Sequence, residues 1–216
     1  MKPSWKNKTV LITSGPTREY LDPIRFLTNA SSGRMGFALA QEAKRLGAKV
    51  LVVSGPCSLK PPRGVRVFSV VTALEMYRQA LSLCEEADVV IAAAAVSDWR
   101  FESVARHKIK KLSCPLNLTL RPNPDIIKAV REHRRRTSQV LVGFALETHQ
   151  GLRSARDKMR RKGLDLIVAN GPASLAGSRS KAVILSREGK VKVLPLWPKQ
   201  RIARALLKEA EIFFGL

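Results

Sequence analysis

Short apolar runs, each closed by a turn residue and separated from the next by an amphipathic stretch, recur along most of this chain. Thr9-Val10-Leu11-Ile12-Thr13-Ser14 stops at Gly15-Pro16, and Ala48 to Val53 stops at Ser54-Gly55. Asp88 to Ala95, Gln139 to Ala145 and Asp165 to Asn170 are further runs of the kind. A strand with one wet face alternates apolar and polar residues. These runs do not alternate, so both of their faces must be covered. Between them, Gly33 to Leu46 (with Gly47 as a C-cap), Thr72 to about Glu86, Pro124 to Arg135 and Leu152 to Lys162 have helical spacing. Asp125 is expected to place negative charge in the first turn of the third of these. The reading is an α/β fold: a Rossmann-like, mostly parallel sheet with helices on both faces. Lys181 to Ser186 and Lys190 to Leu196, joined through Arg187-Glu188-Gly189, add a C-terminal β-hairpin, and Lys199 to Phe214 a closing helix. Residues 101–120 are basic and irregular, as a flap or an oligomer contact would be. No repeat or low-complexity linker divides the chain, so residues 1–216 are expected to form a single domain.

Charge narrows the partners. Lys and Arg number 39 against 17 Asp and Glu, a formal net charge of +22. Such an excess suits nucleic acid, or small phosphorylated and polyanionic ligands. Single-strand binders also interleave base-stacking aromatics with their basic residues. Aromatics are 6% of this chain and show no such interleaving, so nucleic acid is not the expected partner. The longest apolar run, Val89 to Val96, is far short of the roughly 20 residues a bilayer span needs, so no membrane role is expected. Residues 1–6 are basic without an apolar stretch behind them, unlike a secretory signal. Cys57, Cys84 and Cys114 are widely spaced and odd in number, which fits a reducing cytoplasm.

In open α/β sheets ligands bind beyond the carboxyl ends of the strands. Four segments lie there: Gly15 to Ser32, Ala94 to Asp98, Ala145 to Thr148 and Asn170 to Gly177. Ser31-Ser32-Gly33-x-x-Gly36 runs straight into a helix, an arrangement that suits a phosphate and equally an ordinary N-cap. Asn29 offers a neutral amide just before that turn, or is a plain turn residue. Asp98 follows the third strand and could orient a ligand, bind a metal or cap a turn. Lys108, Lys110 and Lys111 could fold over a triphosphate or lie in solvent. Lys158 and Lys162 stand i, i+4 on one helix face, within reach of a common anion. His107, His133 and His149 have no metal-ligand spacing, and no nucleophile elbow is present. An enzyme built this way works by positioning reactants and neutralising charge rather than through a covalent protein intermediate.

Several blocks taken together resemble one family. Ile12-Thr13-Ser14-Gly15-Pro16-Thr17-Arg18-Glu19, Leu21-Asp22-Pro23-Ile24-Arg25-Phe26 and Asn29-Ala30-Ser31-Ser32-Gly33-Arg34-Met35-Gly36 are similar to phosphopantothenoylcysteine synthetases. So are Ala94-Ala95-Val96-Ser97-Asp98-Trp99, Lys108-Ile109-Lys110-Lys111, Asn123-Pro124-Asp125-Ile126, Gly143-Phe144-Ala145-Leu146-Glu147-Thr148 and Asp165-Leu166-Ile167-Val168-Ala169-Asn170. The resemblance implies ligation of 4′-phosphopantothenate to L-cysteine in coenzyme A biosynthesis. CTP is the implied co-substrate with Mg²⁺, and an acyl-cytidylate the implied intermediate. It implies that Asn29 holds the acyl-phosphate and that Lys108 closes over it, supported by Lys111. It further implies CTP contacts from Asp98, Lys108, Pro124, Asp125, Ile126, Ile127, Phe144, Lys158 and Lys162. Phosphopantothenate or intermediate contacts are implied for Asn29, Ser31, Ser32, Gly33, Gly36, Ala94, Ala95 and Lys111. No metal ligand is implied, the Mg²⁺ being held largely by CTP phosphates.

Tyr20 and Arg34 depart from residues common in bacterial members, Pro and Lys respectively; Arg keeps the charge of Lys but not its geometry. Bacterial members are often fused behind a flavin-dependent decarboxylase. No flavin and no such domain are expected in this chain, so a separate decarboxylase is a possible partner. Members form dimers, which makes a homodimer the expectation, and some eukaryotic relatives use ATP. Three competing readings stand beside the ligase. An NAD(P)-type or nucleotide-sugar enzyme would need a GxGxxG turn after the first strand and an acid ending the second, and both are missing. A basic nucleic-acid-binding domain without ligase activity would bind any duplex in a salt-sensitive way. A degenerate synthetase would bind nucleotide without turnover, against which the joint presence of Asn29, Asp98 and Lys108 counts.

Overall fold

The computed structural model describes residues 5–111, 113–133, 138–146, 151–174 and 177–214. Thr9–Ser14 (β1) leads into a short hairpin, Arg18–Tyr20 (β2) and Phe26–Thr28 (β3). Helix Arg34–Arg45 (α1), strands Lys49–Ser54 (β4) and Arg66–Ser69 (β5), helix Ala73–Cys84 (α2) and strand Val89–Ala92 (β6) come next. A second hairpin, Trp99–Phe101 (β7) and Leu120–Pro122 (β8), precedes helix Ile126–His133 (α3). Strand Val140–Leu146 (β9), helix Gly151–Lys162 (α4) and strand Leu166–Asn170 (β10) follow. Strands Arg179–Ser186 (β11) and Val191–Pro198 (β12) and helix Lys199–Ala210 (α5) close the chain.

Eight strands form the main sheet in the order β12-β11-β10-β9-β6-β1-β4-β5. The six from β10 to β5 are parallel; β11 and β12 are antiparallel to their neighbours. The expected α/β architecture is therefore present. The chain order of the parallel strands reverses at β1, between β4 and β6, and this is where an open α/β sheet parts its loops into a crevice.

Alternate residues of each strand feed two separate cores, as the lack of polar alternation required. Val10, Ile12, Val50 and Val52 pack with Phe37, Leu39, Ile202 and Leu206 beneath α1 and α5. Leu11, Leu51 and Val53 pack with Met76, Val130, Ala155 and Met159 beneath α2, α3 and α4. Leu11 and Ile12 are fully buried on opposite faces. Burying each contributes about 1.5–3 kcal/mol.

Boundaries shift for local reasons. Thr72 caps α2 as expected, accepting from the Glu75 amide at 3.2 Å. Gly47 follows α1 with a φ of 96°, a left-handed position that glycine takes without strain. Helix α3 begins at Ile126 rather than Pro124, because the Asp125 carboxylate accepts from the Lys128 amide at 3.2 Å and so caps the helix from outside. The expected end of that helix at Arg135 lies outside the described residues. Strand β6 ends at Ala92, since the Ala94 amide turns to the Thr13 hydroxyl at 3.3 Å. The β2–β3 and β7–β8 hairpins and β5 were not anticipated. Residues 101–111 of the basic excursion are tied to the β2–β3 turn: the Ala105 amide donates to the Leu21 carbonyl at 3.0 Å and the Ile109 amide to Asp22 Oδ2 at 3.1 Å.

Candidate active site

A cleft of about 670 Å³ opens at the carboxyl edge of the sheet over the β1–β6 crevice. One wall is the turn into α1. Gly33 has a φ of 73° and receives a 3.1 Å hydrogen bond on its carbonyl from the Ser14 hydroxyl. Helix α1 has no side-chain cap and no acid in its first turn. Its leading amides thus present positive charge to the cleft. Gly36 lets the helix sit directly on β1, because a Cβ there would lie 2.3 Å from Ser14 Oγ.

Asn29 stands opposite, between β3 and α1. Its Nδ2 donates to the Ala95 carbonyl at 3.1 Å and the Val96 carbonyl at 3.0 Å. Two carbonyl acceptors fix which way the amide points, and leave Oδ1 as the atom it offers a ligand. Stabilisation of anionic charge by this amide, which the family resemblance implied, would require Nδ2 to leave those carbonyls. The loop after β6 is itself held by side chains: the Ser97 amide donates to the Thr17 hydroxyl at 3.0 Å, and Asn123 Nδ2 to the Ser97 carbonyl at 2.9 Å. The Asn123 amide donates to the Asp98 carbonyl at 2.8 Å, which brings residues 123–127 alongside residues 95–98.

Helix α4 supplies the far wall. Lys158 Nζ donates to the Phe144 carbonyl at 2.8 Å, and Lys162 Nζ pairs with Asp125 at 2.7 Å. The structure therefore gathers Asn29, Ser31, Gly33, Gly36, Ala94, Ala95, Asp98, Pro124, Asp125, Ile126, Ile127, Phe144, Lys158 and Lys162 around one cleft. Ser32 is half-buried in the same turn but is not among the residues that line it.

Lys108 and Lys111 are exposed and do not line the cleft. The reason lies next door to Lys108. Asp22, whose side chain is fully buried, accepts from the Ile109 amide and pairs with Arg25, and the Arg25 guanidinium also donates to the Ile109 carbonyl at 2.8 Å. The Arg25 guanidinium and three backbone amides hold the Asp22 carboxyl well below the usual carboxylate range, so the tether stays charged. The expected cleft segments 145–148 and 170–177 are described only in part: Glu147, Thr148, Leu175 and Ala176 lie outside the described residues, as do Leu112 and the basic residues 134–136.

Sequence reasoning did not place Lys199 or Ser180 here, yet both line the cleft and are buried, as is Ser174 from the expected 170–177 segment. Arg34 also lines it. Burial, and the charge of Arg34, lower the proton affinity of Lys199. Among the described residues no group of three His, Cys, Asp or Glu side chains is arranged to hold a metal, and no helix is long and apolar enough to cross a membrane.

Comparison with known proteins places the chain in a family. A family model, the DNA/pantothenate metabolism flavoprotein C-terminal domain, matches residues 5–213. The coenzyme A biosynthesis bifunctional protein CoaBC of Borreliella burgdorferi is 38% identical over 205 residues, which cover 94% of this chain and 52% of that protein. The chain thus spans about half the length of the curated relatives it matches. The solved C-terminal domain of a CoaBC protein superposes with a TM-score of 0.83 at 37% identity, covering 98% of this chain and 97% of that one. A Cab2 variant solved in complex with phosphopantothenate-cysteine shares the fold, with a TM-score of 0.80 at 19% identity over 96% of this chain and 88% of that one.

Proposed function

This chain belongs to the family of the DNA/pantothenate metabolism flavoprotein C-terminal domain, and from that membership we propose that it ligates 4′-phosphopantothenate to L-cysteine in coenzyme A biosynthesis, with CTP as co-substrate. The observation that carries the reading is the cleft itself. A helix N-terminus without a side-chain cap, two lysines of α4 and the 123–127 turn line one cleft together with Asn29 at the sheet's crevice. Relatives named for coenzyme A biosynthesis, and a fold neighbour named for its phosphopantothenate-cysteine complex, support it.

In the first step a carboxylate oxygen of phosphopantothenate attacks the α-phosphorus of CTP, and pyrophosphate leaves. In the second the cysteine amine attacks the acyl carbon, loses a proton, and CMP leaves with the carboxylate oxygen. The α1 amides and Lys158 suit the phosphates, and Lys162 reaches them by exchanging its Asp125 partner for a phosphate oxygen. The backbone of residues 124–127 suits the cytosine edge. Asn29 Oδ1 suits the donor hydrogens of the attacking amine. The residues present fit a Mg²⁺ carried mainly by phosphate oxygens: of the two cleft carboxylates, Asp125 is paired with Lys162, and Asp98 is exposed without an ion pair to a described residue. Bound there, the ion supplies neutralisation of the leaving pyrophosphate.

A homodimer is part of the proposal. Phe26, Leu27, Trp99, Leu116, Leu118 and Leu120 are exposed on the two hairpins and the excursion between β7 and β8, and association would cover them. The test is mass spectrometry of products from 4′-phosphopantothenate, cysteine and Mg²⁺ with CTP, and with ATP in parallel. Phosphopantothenoylcysteine with CMP supports the proposal. The same product with AMP overturns the nucleotide assignment, and no product from folded protein overturns the ligase.

A further inference from the structure

Helices α1 and α5 both begin at the carboxyl edge of the sheet, and their first residues, Arg34 and Lys199, line the same cleft. Neither helix has a side-chain cap, and neither has an acid in its first turn. Both helix ends therefore lack a side-chain cap beside this space, although the Lys199 amide of α5 donates to the Ser178 carbonyl at 3.2 Å.

Lys199 makes this more than a pair of helix ends. It is 4% exposed, and among the described residues it is the only buried lysine or arginine. The other buried ions among the described residues have matched partners. Asp22 has Arg25, Glu42 has Arg45 and Arg204, Asp165 has Arg187, and Glu209 has Lys190 and Lys192. Glu19 accepts the Ala73 amide at the positive end of α2. Among the described residues the Lys199 ammonium has only the Ser174 carbonyl, at 2.7 Å, and no carboxylate pairs with it. An ammonium has three donors, so two remain for a ligand. Lysine is almost never buried unless something of opposite charge accompanies it. Arg34 lines the same cleft and adds a second cation there, so the partner that would balance the two is an anion.

We propose that Lys199 and Arg34, at the paired N-termini of α5 and α1, form a subsite that takes a phosphate group. The identity of the phosphate rests on the ligase reading: it is either the 4′-phosphate of the acyl substrate or part of the nucleotide's triphosphate. That the site takes an anion does not rest on that reading, because it follows from the charge and burial of Lys199 beside Arg34.

The test separates the two. Pyrophosphate and inorganic phosphate are titrated into the full chain by calorimetry, with thermal unfolding alongside. Pyrophosphate should bind the unaltered protein and raise its Tm. Lys199→Met should weaken that binding at least tenfold, Arg34→Met should weaken it less, and Lys199→Arg should restore it in part. An unchanged pyrophosphate affinity in Lys199→Met overturns the proposal, even if its Tm falls, because Lys199 then only braces the Ser174 turn. Should Lys199→Met fail to fold, Arg34→Met, altered at an exposed side chain, carries the same decision. Steady-state kinetics then assign the source. If the 4′-phosphate sits here, Lys199→Met raises KM for phosphopantothenate and erases its preference over unphosphorylated pantothenate. If the triphosphate does, KM for CTP rises instead. Lys199-dependent pyrophosphate binding in a protein that makes no phosphopantothenoylcysteine supports the subsite and overturns the ligase.

Discussion

Gly36→Ala tests the packing that sets the cleft's phosphate wall. A Cβ at this position would meet Ser14 Oγ at 2.3 Å, Ser14 Cβ at 2.5 Å and Ser14 Cα at 3.0 Å. The hydroxyl can rotate away, but Cβ and Cα belong to β1, which is paired on both sides. Helix α1 must therefore move off the sheet. Overpacking of this kind costs about 1–3 kcal/mol, and the better helix propensity of alanine returns about 1 kcal/mol. The net loss is about 0–2 kcal/mol, or up to roughly 8 °C in Tm for a domain of this size. Movement of α1 carries its leading amides with it, and a misplacement of about 1 Å at a reacting group can cost on the order of 100-fold. Thermal and urea unfolding give the stability change, and pyrophosphate titration gives the site's response. Gly171→Ala is the control: nothing lies within 4 Å of its Cβ, and stability should stay within about 0.5 kcal/mol. A Gly36→Ala protein as stable as the original, with unaltered pyrophosphate affinity, would refute the reasoning.

Three further outcomes are expected. Lys158→Ala raises KM for CTP about tenfold or more with the cysteine KM unmoved, the loss of one charge-assisted contact; a change confined to cysteine would remove Lys158 from the nucleotide's surroundings. Asn29→Asp turns a carboxylate oxygen on the Ala95 and Val96 carbonyls, so kcat should fall about 100-fold through displacement of that loop, and unchanged turnover would free Asn29 from the mechanism. Acid should loosen the α1–α5 and α5–hairpin contacts: Glu42 is held below its ordinary 4.5 by its Arg45 and Arg204 partners, and Glu209 is held below the same value by Lys190 and Lys192 against the opposing effect of burial. Their stabilisation is complete above pH 4.5 and is lost as pH falls through the lowered folded values. Glu42→Gln should flatten that acid limb in urea midpoints measured from about pH 6 to 3, and an unaltered limb would contradict the assignment.

The parallel strands could be read from the sequence because each is buried on both faces and had to be apolar throughout. What escaped were elements with little to bury. Strand β5 is a four-residue edge with Arg66 and Ser69 exposed, and the β2–β3 and β7–β8 hairpins pair only three residues each. Site residues carried by local motifs, such as Asn29 and the 31–36 turn, were accessible. Lys199 was not, because its burial depends on the β11–β12 hairpin returning α5 to the side of α1. The place of Lys108 was equally hidden: it follows from Ile109 meeting Asp22, 87 positions away in sequence. The direction of the Asn29 amide depends likewise on carbonyls 66 and 67 residues distant.

The central claim is that the acyl carboxylate is activated on the α-phosphorus of CTP. Its most direct test uses 4′-phosphopantothenate labelled with ¹⁸O in the carboxylate, with mass spectrometry of every phosphate-bearing product. The account predicts one ¹⁸O in CMP and none in pyrophosphate. Label in pyrophosphate or inorganic phosphate, or product formed with unlabelled CMP, would contradict it.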